Sequence, residues 1–137
     1  MGGEPSVAVV DDDLSVRRSI ERLLRSAGYR VKTFASAREF LERAVSDRPD
    51  CAVLDVRMPG QSGLDLHGKL AAAGRDIPAI FITGDADCRM ADRAMKAGAA
   101  DFLPKPFDAG VLLSAVERAL SRSRSSALPN RVTLRFN

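Results

Sequence analysis

The feature that most narrows the fold of this chain is an alternation of short strand-like runs with stretches of helical spacing, in which most runs stop at a polar side chain. Val7-Ala8-Val9-Val10 ends at Asp11-Asp12-Asp13, and Cys51-Ala52-Val53-Leu54 ends at Asp55. Pro78 to Ile82 ends at Thr83, and Ala100 to Leu103 is followed by Pro104-Lys105-Pro106. Continuous apolar runs of this length predict strands buried on both faces, as in a parallel sheet. Arg30 to Phe34 has β-branched and aromatic content broken by Lys32, which suits an edge strand. Between the runs lie apolar stripes at helical spacing: Val16, Ile20, Leu23, Leu24 and Ala27; Phe40, Leu41, Ala44 and Val45; Leu66 and Leu70; Met90, Ala91, Ala94 and Met95; Leu112, Leu113, Val116 and Leu120. Asp13, the Ser36 to Glu39 box, the Ser62 to Asp65 pattern and Asp108 supply helix starts, while Gly28, Gly74 and Gly98 supply stops. The alternation predicts an α/β domain with five parallel strands and helices on both faces.

The 137 residues, 45% hydrophobic and 28% charged, suit one globular domain with a core. No apolar run approaches the roughly 20 residues needed to span a bilayer, and the N-terminus lacks a basic and apolar leader. The expectation is a cytoplasmic protein with no membrane contact. Cys51 and Cys88 lie in no metal or redox spacing, so two free thiols are expected. Residues 1–116 carry 16 Lys or Arg against 17 Asp or Glu, whereas residues 117–137 carry five Arg against Glu117. The basic excess therefore belongs to the tail, whose singly spaced Arg residues read as a solvated end and not a nucleic-acid surface. The expected organisation is one domain over residues 1–121. A basic Ser/Arg linker and a short alternating strand pattern at Val132, Leu134 and Phe136 then fill 122–137, with no output domain, as expected of a single-domain protein that docks on a partner or of a fragment of a longer one.

Right-handed parallel connections put all strand ends on one edge, so Asp11, Asp12, Asp55, Thr83 and Lys105 converge there. Two carboxylates about 4 Å apart at an effective dielectric near 20 repel by roughly 4 kcal/mol, and a bound cation resolves this. Oxygen donors without His or Cys point to a hard ion, and a partial set that leaves room for water and phosphoryl oxygen points to Mg²⁺. A lysine and a hydroxyl facing that ion can orient a phosphoryl group. The chemistry expected is phosphoryl transfer onto a carboxylate.

Val9-Val10-Asp11-Asp12-Asp13, Leu54-Asp55-Val56-Arg57-Met58-Pro59-Gly60, Ile82-Thr83-Gly84 and Lys105-Pro106-Phe107 together resemble the receiver domain of two-component response regulators. The wording around Asp55 and from Asp92 to Phe107 is most similar to the branch that often precedes a helix-turn-helix output domain. The resemblance implies a doubly wound five-stranded parallel sheet in the order 2-1-3-4-5, the flavodoxin-like (βα)5 single domain. It implies that Asp55 is the phosphorylation site, taking its phosphoryl group from the phosphohistidine of a sensor histidine kinase or phosphotransfer protein. Asp12 and Asp55 would bind Mg²⁺ directly, the Arg57 carbonyl would be a further ligand, and Asp11 would act largely through water. Thr83 would hydrogen-bond the acyl phosphate, Lys105 would pair with it, and Phe102 holds the switch-aromatic position. A cis peptide between Lys105 and Pro106 is also implied, as is a response on the face made by the fourth helix, fifth strand and fifth helix, where a homodimer could form. Such a chain is no enzyme beyond its own phosphorylation and dephosphorylation.

Simpler roles compete at single positions. Asp13 reads as an N-cap, His67 as a packed or solvated residue, Phe102 as at least partly core, and Cys51 as an inert buried thiol. The similar branch has His two residues after the Thr, where this chain has Asp85, which suggests that Arg57 and Asp85 pair across the entrance. A Mg²⁺-dependent phosphatase using Asp55 as nucleophile is the first rival, but Arg57 stands where such enzymes carry a second carboxylate. A flavin-binding module shares the sheet order. Its phosphate loop, however, needs hydroxyls and amides where this chain has three carboxylates.

Overall fold

The strand-forming runs pair in register, so that their C-terminal ends finish level with one another. The computed structural model describes residues 5–44, 48–57, 62–73, 77–84 and 88–127. Strands β1 (Ser6–Val10), β2 (Arg30–Phe34), β3 (Cys51–Asp55), β4 (Ala79–Thr83) and β5 (Asp101–Pro104) form one parallel sheet ordered β2-β1-β3-β4-β5. Val10 lies opposite both Phe34 and Leu54, Asp55 opposite Ile82, and Thr83 opposite Pro104. The polar residues at or just past these positions therefore share one edge. Helices α1 (Leu14–Ser26), α2 (Ala37–Ala44), α3 (Gly63–Ala72), α4 (Cys88–Lys96) and α5 (Ala109–Ala127) cover the two faces.

Period-two alternation along each strand divides the core. Ala8, Val10, Leu54 and Phe81 pack with Phe40, Leu66, Leu70 and Ala94 beneath α2, α3 and α4. Val7, Val9, Val53, Ile80 and Ile82 pack with Ile20, Leu24, Leu112 and Val116 beneath α1 and α5. The central strands β3 and β4 are buried at every position, whereas β2 exposes Arg30 and Lys32, as an edge strand should.

The helix starts follow the capping chemistry. Asp13 accepts from the N–H groups of Ser15 (2.9 Å) and Val16 (3.3 Å), and Ser62 Oγ accepts from Asp65 N–H (3.1 Å). At α2, Ser36 Oγ accepts from Glu39 N–H (3.1 Å), while the Glu39 carboxylate accepts from Ala35 N–H (2.8 Å). The returning arm of the box thus lands one residue earlier than the capping pattern implies. Gly28 and Gly98 take the left-handed backbone (φ 97° and 96°) just after α1 and α4, where a side chain would be strained.

Asp55 stands at the end of β3, where the sequence placed it. Two expectations are corrected. Met95, assigned to the buried stripe of α4, is 51% exposed, because it follows fully buried Ala94 by one residue and so sits about 100° round the helix. The helix α5 runs on through Ser121–Ser126 to Ala127, where a linker was expected. Ser and Arg cost at most a few tenths to ~0.7 kcal/mol each in a helix, and no Gly or Pro interrupts residues 111–128. The strand pattern at Val132, Leu134 and Phe136 lies outside the described residues. Among the described residues, no helix is long and apolar enough to cross a membrane.

Leu112 is fully buried against the sheet at the start of α5. Truncating it removes contacts that neighbouring strands cannot refill, so Leu112→Ala should lose about 2–5 kcal/mol of stability in urea unfolding.

Candidate functional site

The β1–α1 connection carries the first two acidic groups. Asp11 N–H still donates to the Phe34 carbonyl (3.1 Å), which holds residue 11 at the level of the sheet and buries it completely. Its Oδ1 accepts from Asp13 N–H (2.8 Å) and its Oδ2 from Lys105 Nζ (3.0 Å). Asp12, next in the chain, is exposed. Asp55, at the end of β3, is only 5% exposed; its Oδ1 accepts from Arg57 N–H (3.2 Å) and its Oδ2 lies 3.7 Å from Lys105 Nζ. One carboxylate oxygen from each of Asp11, Asp12 and Asp55 lies within 4.8 Å of the others.

Thr83 ends β4 fully buried, and its carbonyl accepts from Lys105 N–H (2.7 Å). That bond fixes the start of the β5–α5 connection beside β4. The Lys105–Pro106 peptide is cis. Phe102 is half-buried, lies opposite Phe81 across the sheet and packs against the core under α2, α3 and α4. Strand ends thus bring Asp11, Asp12, Asp55 and Lys105 into one cluster, with Thr83 joined to it through Lys105.

Burial, followed by the charge of Asp11, pushes the Asp55 carboxyl up to about 6, while Lys105 and the Arg57 N–H pull the other way. The cluster sets three acidic side chains around Lys105, whose Nζ lies 3.0 Å from Asp11 and 3.7 Å from Asp55. An all-oxygen donor set, held close and short of positive charge, fits a hard divalent cation.

Several contacts were not legible in the sequence. Gly63, read only as part of a capping pattern, starts α3 so close to β3 that a Cβ there would overlap the Asp55 carbonyl oxygen. Its N–H donates to the Val56 carbonyl (2.9 Å), which locks the helix start to the chain just after the acceptor candidate. Arg17 Nη1 donates to the Asp11 carbonyl (2.7 Å). His67 is buried and packs edge-on to Phe81 with ring centroids 5.6 Å apart. Cys51 is buried, with a thiol pushed up to about 12, chiefly by burial, and is therefore inert. Asp85 and the proposed pairing with Arg57 lie outside the described residues, as do Met58-Pro59-Gly60, and the Cys88 side chain is likewise not described.

Beside Lys105 opens a cleft of about 670 Å³ between α1 and the β5–α5 connection, lined by Val16, Ile20, Leu23, Pro106 and Phe107 among others. Its lining is largely apolar, and it shares Lys105 with the acidic cluster.

The response regulator receiver domain family matches residues 7–117, over which all the clustered groups fall. The chain belongs to this family. The receiver is 53% identical over 118 residues to nodulation protein W of Bradyrhizobium diazoefficiens, covering 86% of this chain and 52% of that protein. It is 48% identical over 117 residues to the transcriptional regulatory protein FixJ of Azorhizobium caulinodans, covering 85% and 56%. Among solved structures it resembles FixJ-N, with TM-score 0.80 and 43% identity over 86% of this chain and 94% of that one. The response regulator StyR superposes with TM-score 0.85 and 46% identity over 96% and 66%. The receiver spans about half the length of the curated relatives it matches.

The raised Asp55 carboxyl makes the metal-free fold acid-favoured. The native state binds a proton that the unfolded chain, with an ordinary value of 3.8, releases between about pH 4 and 6. Stability in chelator-containing buffer should therefore fall as pH rises through that window. Asp55→Asn should flatten the profile and raise stability at pH 7 by on the order of 2 kcal/mol, read from urea midpoints across pH.

Proposed function

We propose that this receiver is a phosphoacceptor signalling switch that takes a phosphoryl group onto Asp55 from the phosphohistidine of a sensor histidine kinase or phosphotransfer protein. The observation that carries this reading is the buried, proton-avid Asp55 carboxylate set between Asp11, Asp12 and the Lys105 ammonium at one sheet edge. An Asp55 carboxylate oxygen attacks phosphorus, and the new O–P bond forms as the donor's P–N bond breaks. The electron pair returns to the imidazole nitrogen. Asp12 and Asp55, with the Arg57 carbonyl and with Asp11 through water, would hold Mg²⁺, whose charge offsets that on the phosphoryl oxygens. Lys105 already bridges Asp11 and Asp55 and can swing onto a phosphoryl oxygen without leaving the cluster.

Output follows from the same geometry. The Thr83 hydroxyl, drawn towards the acyl phosphate, leaves space that Phe102 can fill, and this biases the face formed by α4, β5 and α5. The effect is a population shift whose size equals the preference of the phosphoryl group for one arrangement. That face then controls a partner, an attached output domain or a second copy of the chain; FixJ, among the named relatives, is a transcriptional regulatory protein. The protein acts in the cytoplasm, binds no nucleic acid through this domain, and turns over nothing but its own phosphate. The phosphatase reading is disfavoured by Arg57, which is no general acid, two residues beyond Asp55.

Incubated with acetyl phosphate and MgCl₂, the protein should gain one phosphoryl group by intact mass, and Asp55→Asn should gain none. Labelling that persists in Asp55→Asn would place the acceptor elsewhere. The apolar cleft, lined in part by Lys105, gives a protein donor a surface beside the acidic cluster. Val16→Glu and Leu23→Glu, both half-buried on α1, should accordingly slow transfer from a phosphorylated kinase at least tenfold, a loss of about 1.4 kcal/mol of transition-state binding, while sparing acetyl phosphate labelling.

A further inference from the structure

Asp12 presents a puzzle of position. It is the exposed member of the acidic cluster, and among the described residues no hydrogen bond or ion pair holds its carboxylate. Its placement must therefore come from the backbone on either side. On the C-terminal side Asp13 is fixed as the N-cap of α1, and its N–H donates to Asp11 Oδ1. On the N-terminal side Asp11 is fixed by its N–H to Phe34, by Lys105 on Oδ2, and by Arg17 on its carbonyl. That carbonyl belongs to a fully buried residue one past the end of β1, where a buried acceptor without a donor is costly. Arg17 reaches back six residues from α1 to supply the donor at 2.7 Å, and so closes the turn over Asp12.

We infer that Arg17 is a positioning residue for divalent-cation binding: by clamping the Asp11 carbonyl it holds the Asp12 carboxylate where it can share a cation with Asp55. This rests on the reading of the cluster as a Mg²⁺ site. The clamp and the charge of Arg17 act in opposite directions, which makes the inference decidable. As a cation near the cluster, Arg17 repels Mg²⁺, so its removal would tighten binding if charge were all it contributed. As the outer support of a ligand, its removal weakens binding, typically by 10- to 100-fold.

The test is Mg²⁺ titration of the 137-residue chain by calorimetry, with metal-free melting as the check on folding. Arg17→Met keeps the apolar stem and lacks the donor; it should bind Mg²⁺ about tenfold more weakly than wild type. In an Asp12→Ala background the same change should have no further effect on Mg²⁺ affinity, because the carboxylate it positions is gone. A general loosening of the fold would weaken both backgrounds alike. Unchanged or tighter binding by Arg17→Met, or an equal loss in the Asp12→Ala background, overturns the inference alone. A wild type that fails to bind Mg²⁺ overturns the metal-site reading and this inference with it. Should Arg17→Met not fold, the same titrations on Arg17→Gln decide the matter in the same way.

Discussion

The ion pair between Lys105 and Asp11, with Asp55 just beyond it, is the constraint around which the acidic edge of the sheet is built. It joins residues 94 positions apart and places one ammonium between two carboxylates that are nearly or wholly removed from water. Burying such charges costs several kcal/mol per ion, and only close pairing and satisfied hydrogen bonds offset it. Each oxygen of Asp11 is accordingly occupied, by Asp13, Lys105 and Arg17. Lys105 in turn cannot wander, because its N–H is bound to the Thr83 carbonyl. The ends of β1, β3, β4 and β5 are therefore held together by polar contacts as well as by sheet pairing, and the remaining imbalance of charge is what a divalent cation would correct.

The two faces of the sheet are packed by different sets of helices. The helices α1 and α5 bury Ile20, Leu24, Leu112, Val116 and Leu120 against β1, β3 and β4. Among its described side chains, α4 buries Ala94 and leaves Met95 in solvent. Phe102 is half-buried and packs against the core on that helix's side of the sheet. One face of the sheet is thus covered by α1 and α5, and the other by α2, α3 and α4.

The β1–α1 connection shows how backbone arrangement can do the work usually credited to the ligand side chain. Three consecutive carboxylates would repel one another in an open loop. Here they are separated by function: Asp11 is turned inward to Lys105, Asp13 is spent on the helix start, and Asp12 is left outward between them. Gly63 performs the corresponding task at β3, since only a residue without Cβ lets α3 begin against the Asp55 carbonyl.

The order of elements, the strand assignments, the caps at Asp13 and Ser62 and the stops at Gly28 and Gly98 were all readable from sequence. They depend on side-chain periodicity and on local hydrogen bonding, which are properties of neighbouring residues. The convergence of Asp11, Asp12, Asp55 and Lys105 was readable too, because parallel connections of one hand leave strand ends nowhere else to go. The end of α5 was misjudged, since Ser and Arg are as much at home in a helix as in a linker and only packing or a breaker decides between them. Arg17 on the Asp11 carbonyl, Gly63 against Asp55, and the inward and outward division of the three acidic neighbours were decided by tertiary structure alone. They follow from distances between β1, β3, α1 and α3 that are set only when the sheet and its helices close on the shared core.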